Sequence, residues 1–275
     1  AEEDDPWNLW VFRIGANGSI NGESLQRGYR IGGNASANRT SEDFKFTWGA
    51  FGSYRRDEFD LDDTTTIVNT TENYSTNILA VWSVGERWSA GGTAAVTRST
   101  FNNRDLGVVF GPALEFNIFP YRESTRKSIT FLYTVEATYF DYELETVAGK
   151  TEEIKARHRL QIGADVQQPW GQVFASVSAI QYLDDPESHR FDTFAGFSIR
   201  IIRGLNFNVN GNFSRIKDQF FLPAGGLTPE EILLRRRQRE TDFRFRLNVG
   251  LSYRFGSKFA NIVNPRMGGG GFFFF

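Results

Sequence analysis

The chain has 275 residues, a formal net charge of −2 and no cysteine. Without cysteine no disulfide framework, iron–sulfur cluster or thiolate zinc site is possible, and the near-neutral charge argues against a general nucleic-acid binder. Aromatic residues reach 15 %, with 27 Phe, yet mean hydropathy is −0.39. No run approaches the roughly 18 apolar residues of a transmembrane helix. A membrane barrel reconciles grease with polarity, because each strand carries one apolar lipid face and one polar lumen face. No signal peptide is visible, and Ala1–Pro6 reads like an N-terminus left after cleavage.

Period-two alternation predicts twelve strands, near 7–20, 26–39, 44–56, 66–84, 88–101, 105–120, 128–142, 152–168, 171–183, 190–203, 205–217 and 240–255. Segment 154–167 sets Ile154, Ala156, Leu160 and Ile162 against Lys155, Arg157, Arg159 and Gln161. Segment 205–214 sets Leu205, Phe207 and Val209 against Asn206, Asn208 and Asn210. In the last strand Phe243, Phe245, Leu247, Val249 and Leu251 oppose Arg244, Arg246, Asn248, Gly250 and Ser252. Even-numbered connections are short and the last odd one is long, as for a barrel with both termini in the periplasm. Trp7, Trp10, Trp82, Trp88, Trp170, Tyr121, Tyr253 and Phe255 then gather at the periplasmic rim. Tyr54, Tyr139, Tyr142, Tyr182, Phe191, Phe213 and Phe243 gather at the outer rim, as interfacial aromatics do. The fold class expected is all-β: a transmembrane antiparallel up-and-down β-barrel of about twelve strands over 1–256, the last strand pairing with the first. A periplasmic tail, 257–275, follows.

The segment Asn248-Val-Gly250-Leu-Ser-Tyr253-Arg-Phe255 resembles the C-terminal β-signal of Gram-negative outer-membrane proteins. The resemblance implies residence in the bacterial outer membrane, in contact with its lipid and lipopolysaccharide, and insertion by the outer-membrane assembly machinery. Asn248, Gly250, Tyr253 and Phe255 carry the pattern. In most proteins of that family the signal strand ends the chain, whereas here Gly256–Phe275 follow it.

Parity places Arg13, Arg30, Lys45, Arg55, Lys155, Arg157, Arg159, Arg190, Arg200, Arg244, Arg246 and Arg254 in the lumen. Against them stand Glu115, Glu136, Asp165 and Asp192. Rings of arginine favour anions in a pore, and guanidinium forks onto carboxylate or phosphate. The reading is a porin-like channel with a basic lumen for small anionic solutes. The bland alternative is that the bases pair with acids and fill a narrow barrel.

A second reading is a structural or assembly barrel that docks a protein partner or another copy through its tail. Phe259, Ile262, Val263, Phe272, Phe273, Phe274 and Phe275 are the docking residues, since four exposed terminal phenylalanines are poorly soluble. A third is a hydrolase at the outer rim, built on Asp60, Asp62 and Asp63 of one external loop and Asp184, Asp185 and His189 of another. Catalysis is not the expectation, and the sequence calls for no cofactor or metal. Thr228-Pro-Glu-Glu231, followed by Ile232–Leu234 and Arg235–Arg237, predicts a short capped helix in the last external loop.

Overall fold

The computed structural model describes residues 5–60, 64–225 and 240–256. Twelve antiparallel strands follow one another in chain order in a single sheet. They are β1 (Trp10–Glu23), β2 (Gln26–Thr40), β3 (Phe44–Asp60), β4 (Thr66–Ser83), β5 (Trp88–Ser99) and β6 (Arg104–Asn117). The second half is β7 (Lys127–Tyr142), β8 (Glu152–Gln168), β9 (Gly171–Tyr182), β10 (His189–Ile202), β11 (Leu205–Ile216) and β12 (Phe243–Tyr253). The expected helix at 228–237 and the tail 257–275 lie outside the described residues, as do Asp62 and Asp63.

Alternation builds the two faces. The outer face leaves large apolar side chains bare: Ile14 is 86 % exposed, Phe110 59 % and Leu247 66 %. The inner face is polar and in places interlocked. Asn34 lies opposite Gly15, Asn17 opposite Gly32, and Asn208 opposite Gly250. A β-carbon at any of these three glycines would stand within 3.0 Å of the facing asparagine oxygen. Apolar outside and polar inside is the pattern for a lipid solvent, and it excludes the inverse arrangement of a soluble barrel.

Both termini lie at one end, here the near end, because the strand number is even and each strand reverses its predecessor. The near end carries the connections 41–43, 84–87, 118–126, 169–170 and 203–204. The far end carries 143–151, 183–188 and the long 217–242. Aromatic pairs ring the near end: Trp10 with Phe46 at 5.5 Å, Phe44 with Trp82 at 5.3 Å, and Trp88 with Phe116 at 4.7 Å. Tyr29 and Tyr54 pair at 5.9 Å towards the far end. Three rim assignments are corrected. Tyr142 and Tyr182 are buried on the inner face, and Tyr121 turns inward to Ser89 and Glu115. Each has a polar partner inside the barrel that lipid lacks.

One expectation is not met. Among the described residues no ladder joins β12 to β1, so both flank a seam. The stagger around the sheet is nevertheless that of a tilted barrel. A level line from Trp10, at the near end of β1, passes through Arg39, Phe46, Ala80, Gly92 and Pro112. Pro112 has no N–H, and the β6–β7 ladder skips from Phe110 to Ala113. Across that gap the line resumes at Val135, His158 and Gln181 and reaches His189, at the far end of β10.

Candidate functional site

The lumen has two unlike walls. On the far halves of β7 to β10 the inner-face bases are matched by acids. Arg157 Nε donates to Glu136 Oε2 at 2.6 Å, and Arg159 reaches the same oxygen at 3.5 Å. Thr134 donates to the other Glu136 oxygen at 3.2 Å. Lys155 Nζ lies 2.7 Å from Asp184 and 3.6 Å from Glu153. Arg190 donates to Asp192 at 2.8 Å, and Ser214 donates to the other Asp192 oxygen at 2.6 Å. The Glu136–Arg157 pair is largely desolvated, with Glu136 2 % and Arg157 14 % exposed, whereas Arg190 and Asp192 stay partly exposed. The paired groups neutralise one another and leave little charge for a solute.

A strap closes over that wall. Residues 218–224 of the long far-end connection fold into the lumen instead of standing clear of it. Phe220, Phe221 and Leu222 pack on Phe140, Tyr142, Tyr182 and Ile180. Arg104 lies over the Phe140 ring at 4.3 Å and Lys155 over Phe220 at 4.9 Å. Backbone groups and side chains fasten it, and Gln219 Oε1 accepts from Thr241 N at 2.8 Å. Asn103, in the left-handed region at φ 51°, donates its amide to Leu144 O at 2.8 Å and Phe221 O at 3.1 Å. It also accepts from Leu144 N at 2.9 Å. Val147 N donates to Leu222 O at 2.8 Å and Ala224 N to Glu145 O at 2.9 Å. One asparagine thus ties three far-end turns together. Asp218, at the root of the strap, is buried, which raises its carboxyl above the ordinary range against the lowering pull of Arg190 at 4.0 Å.

The other wall, β12 with β1 to β3, is open. Arg13, Arg30, Lys45, Arg244 and Arg246 share the inner face with Asn17, Asn34, Asn208 and Asn210. Among the described residues none of these five bases has an acidic partner, nor has Arg200 on β10. Only Arg55 is paired, with Asp57 at 2.7 Å. Arg254 lies beyond β12, its N–H bonded to Gly204 O at 2.8 Å.

The sequence-predicted lumen bases on the strands therefore all reach the inner face, but they do not form one field. Lys155, Arg157, Arg159, Arg190 and Arg55 are held by acids; among the described residues the rest have no acidic partner. Sequence reading missed Asp57, Glu153 and Asp218 among those acids, and Arg104 among the bases. Asp57 and Asp218 sit at strand margins and in a loop, where period two gives no direction. Of the assembly-signal residues, Asn248 donates to Asn210 at 3.0 Å on the inner face. Gly250 leaves room for Asn208, and Tyr253 stacks on Phe255 at 5.2 Å. The tail residues Phe259 to Phe275 lie outside the described residues.

Asp62 and Asp63 lie outside the described residues, and the other rim acids have local partners. Asp60 accepts from Thr66 at 2.7 Å, Asp185 from Ser188 at 2.6 Å, and Asp184 is held by Lys155. The Ser188 hydrogen bond also holds the Asp185 carboxyl below its ordinary value. His158 faces outward, 3.3 Å from Tyr133 Oη and 3.2 Å from Gln181. Among the described residues no group of three His, Cys, Asp or Glu side chains converges on a metal position.

No protein-family model matches the sequence, and no curated protein matches it. Among solved structures, the NanC porin is similar with a TM-score of 0.42 and 8 % identity, covering 84 % of this chain and 98 % of its own. The translocator domain of the autotransporter NalP from Neisseria meningitidis has a TM-score of 0.37 and 13 % identity, covering 92 % and 90 %. At these scores neither likeness specifies a function.

Proposed function

We propose that the chain is a bacterial outer-membrane barrel that conducts small anionic solutes along the wall formed by β12, β1, β2 and β3. One observation carries this reading: among the described residues Arg13, Arg30, Arg244 and Arg246 face the lumen without acidic partners, while the bases of the opposite wall are neutralised and covered by the strap. Unpaired guanidinium groups beside an asparagine-lined wall bind and release small anions without trapping them.

The membrane follows from the outer face, whose exposed isoleucines, leucines and phenylalanines have no other solvent. In hydrocarbon a bare sheet edge costs several kcal/mol for each unsatisfied backbone group. In the bilayer β12 and β1 therefore pair and close the seam. The near end, with its short connections, is periplasmic, and the far end faces outward to lipopolysaccharide. The strand-12 residues Asn248, Gly250, Tyr253 and Phe255 serve insertion by the assembly machinery. Recording across a planar bilayer under a potassium chloride gradient tests the reading. A reversal potential on the chloride side is expected; no conductance, or a cation preference, rejects it.

A further inference from the structure

A cavity of about 390 Å³ lies at the near end of the lumen, between the inner faces of β3 to β7 and the connection 118–126. That volume suits a small ligand. Its bed is apolar, made by Leu79 and Val81 of β4, Ala113 of β6 and Leu132 of β7. The registers put all four on the inner face, which is elsewhere rich in Asn, Ser, Thr and Arg. Apolar side chains on a wet wall gain nothing until something covers them. Gly91 also lines the cavity, and a β-carbon there would collide with the Ala80 carbonyl oxygen, so the position admits only glycine.

Two opposite charges flank this bed. Lys45 stands on β3 and Glu115 on β6. Among the described residues Lys45 has no acidic partner and Glu115 no basic one. Glu115 Oε1 accepts from the Tyr121 hydroxyl at 2.9 Å, which in turn accepts from Ser89 Oγ at 3.0 Å. Burial pushes Tyr121 up to about 12, so it stays a donor and holds the carboxylate in place. A level line runs Lys45, Val81, Gly91, Ala113, and Glu115 is two residues further along β6. Three strand spacings put the two backbones roughly 14 Å apart, and both side chains reach inward across that gap. An extended peptide spans about 3.3–3.6 Å per residue, so two or three residues bridge what is left.

We infer that this cavity binds a short peptide with free ends and apolar side chains, its carboxylate on Lys45, its ammonium on Glu115 and its side chains on the leucine–valine bed. A simple anion would leave Glu115 uncompensated, and a simple cation would leave Lys45 so. The site shares Lys45 with the open wall but none of its arginines, and peptide binding is read independently of the ion preference of the channel.

Calorimetric titration of the full chain, folded in detergent, with the tripeptide Ala-Leu-Ala tests this. Saturable binding is expected, weakened at least tenfold by acetylating the N-terminus or amidating the C-terminus. Lys45→Gln should bind the free and amidated peptides alike. Glu115→Gln should bind the free and acetylated ones alike, its amide oxygen still accepting from Tyr121. The wild-type comparison needs no variant to fold. No binding at millimolar peptide, equal binding of the doubly blocked peptide, or variants that keep the wild-type discrimination would overturn the inference.

Discussion

The side-chain amide of Asn103 donates to the carbonyl of Phe221 at 3.1 Å, across 118 positions of sequence. That bond joins the β5–β6 turn to the last far-end connection and holds the strap in the lumen. Asn103 is 1 % exposed, so the groups it serves have no water to fall back on. Asn103→Ala leaves Leu144 N–H and two carbonyls unpaired, at about 1–3 kcal/mol for each buried group. It also leaves alanine, which lacks the short polar side chain that eases asparagine into the left-handed region, at a position with φ 51°, at about 1 kcal/mol. Asn103→Gly removes the amide without that backbone cost. Both variants should raise single-channel conductance as the strap loosens. Unchanged conductance in both would mean that the strap does not obstruct the path.

Asp218 gives the strap a pH dependence. Its folded-state value is raised by burial, so the folded chain binds the proton more tightly than the unfolded chain does. Strap stability therefore grows as pH falls from neutral through the raised value, and levels off below the ordinary carboxylate value of about 3.9. The groups facing Asp218 include Arg190, Asp192, Arg157, Arg104 and Tyr182. Conductance should fall on acidification from pH 7, and Asp218→Asn should be low at pH 7 and insensitive to pH. A variant that titrates like the parent would assign the effect elsewhere.

The strand pattern was legible in the sequence because lipid outside and water inside enforce period two over every strand. Inner-face placement of the strand bases followed from the same rule. Pairing did not, since period two gives a face and not a partner: Arg157 and Arg246 read alike, yet one meets Glu136 and the other meets asparagine. The strap was hidden for a different reason. Phe220, Phe221 and Leu222 stand in a loop, and their partners Tyr142 and Tyr182 look like rim aromatics until the loop is seen to cover them. The seam was hidden too, because strand counting assumes that the last strand finds the first.

Neutralised and free arginines should differ in what they stabilise. Arg157→Gln leaves Glu136 buried with Arg159 alone, 3.5 Å away, and should cost about 3–5 kcal/mol in urea unfolding, as does breaking other buried pairs. Arg246→Gln, exposed and unpaired, should change stability by less than about 0.5 kcal/mol. Equal losses from the two would erase the distinction between the walls.

Closure of the seam has a predicted register. A tilt of 35–45° over twelve strands spaced about 4.8 Å requires a closing shift of roughly 12–16 residues. The shift must be even, because an odd one would turn lumen residues to lipid. Carried around the observed ladders, these shifts set Asn17 opposite Arg246, Asn248 or Gly250. The chain has no cysteine, so Asn17→Cys paired in turn with Cys at 246, 248 and 250 gives a clean readout. One pair should form a disulfide in membranes. A crosslink to Cys at 247 or 249 instead, or to none, would contradict closure in this register.

The conducting wall is tested most directly by reversal potential under a salt gradient for two double variants. Arg244→Gln with Arg246→Gln should move it towards cations, whereas Arg157→Gln with Arg159→Gln, on the neutralised wall, should leave ion preference unchanged in the protein that still folds. The reverse order, or equal shifts from both, would contradict an anion path along β12 and β1.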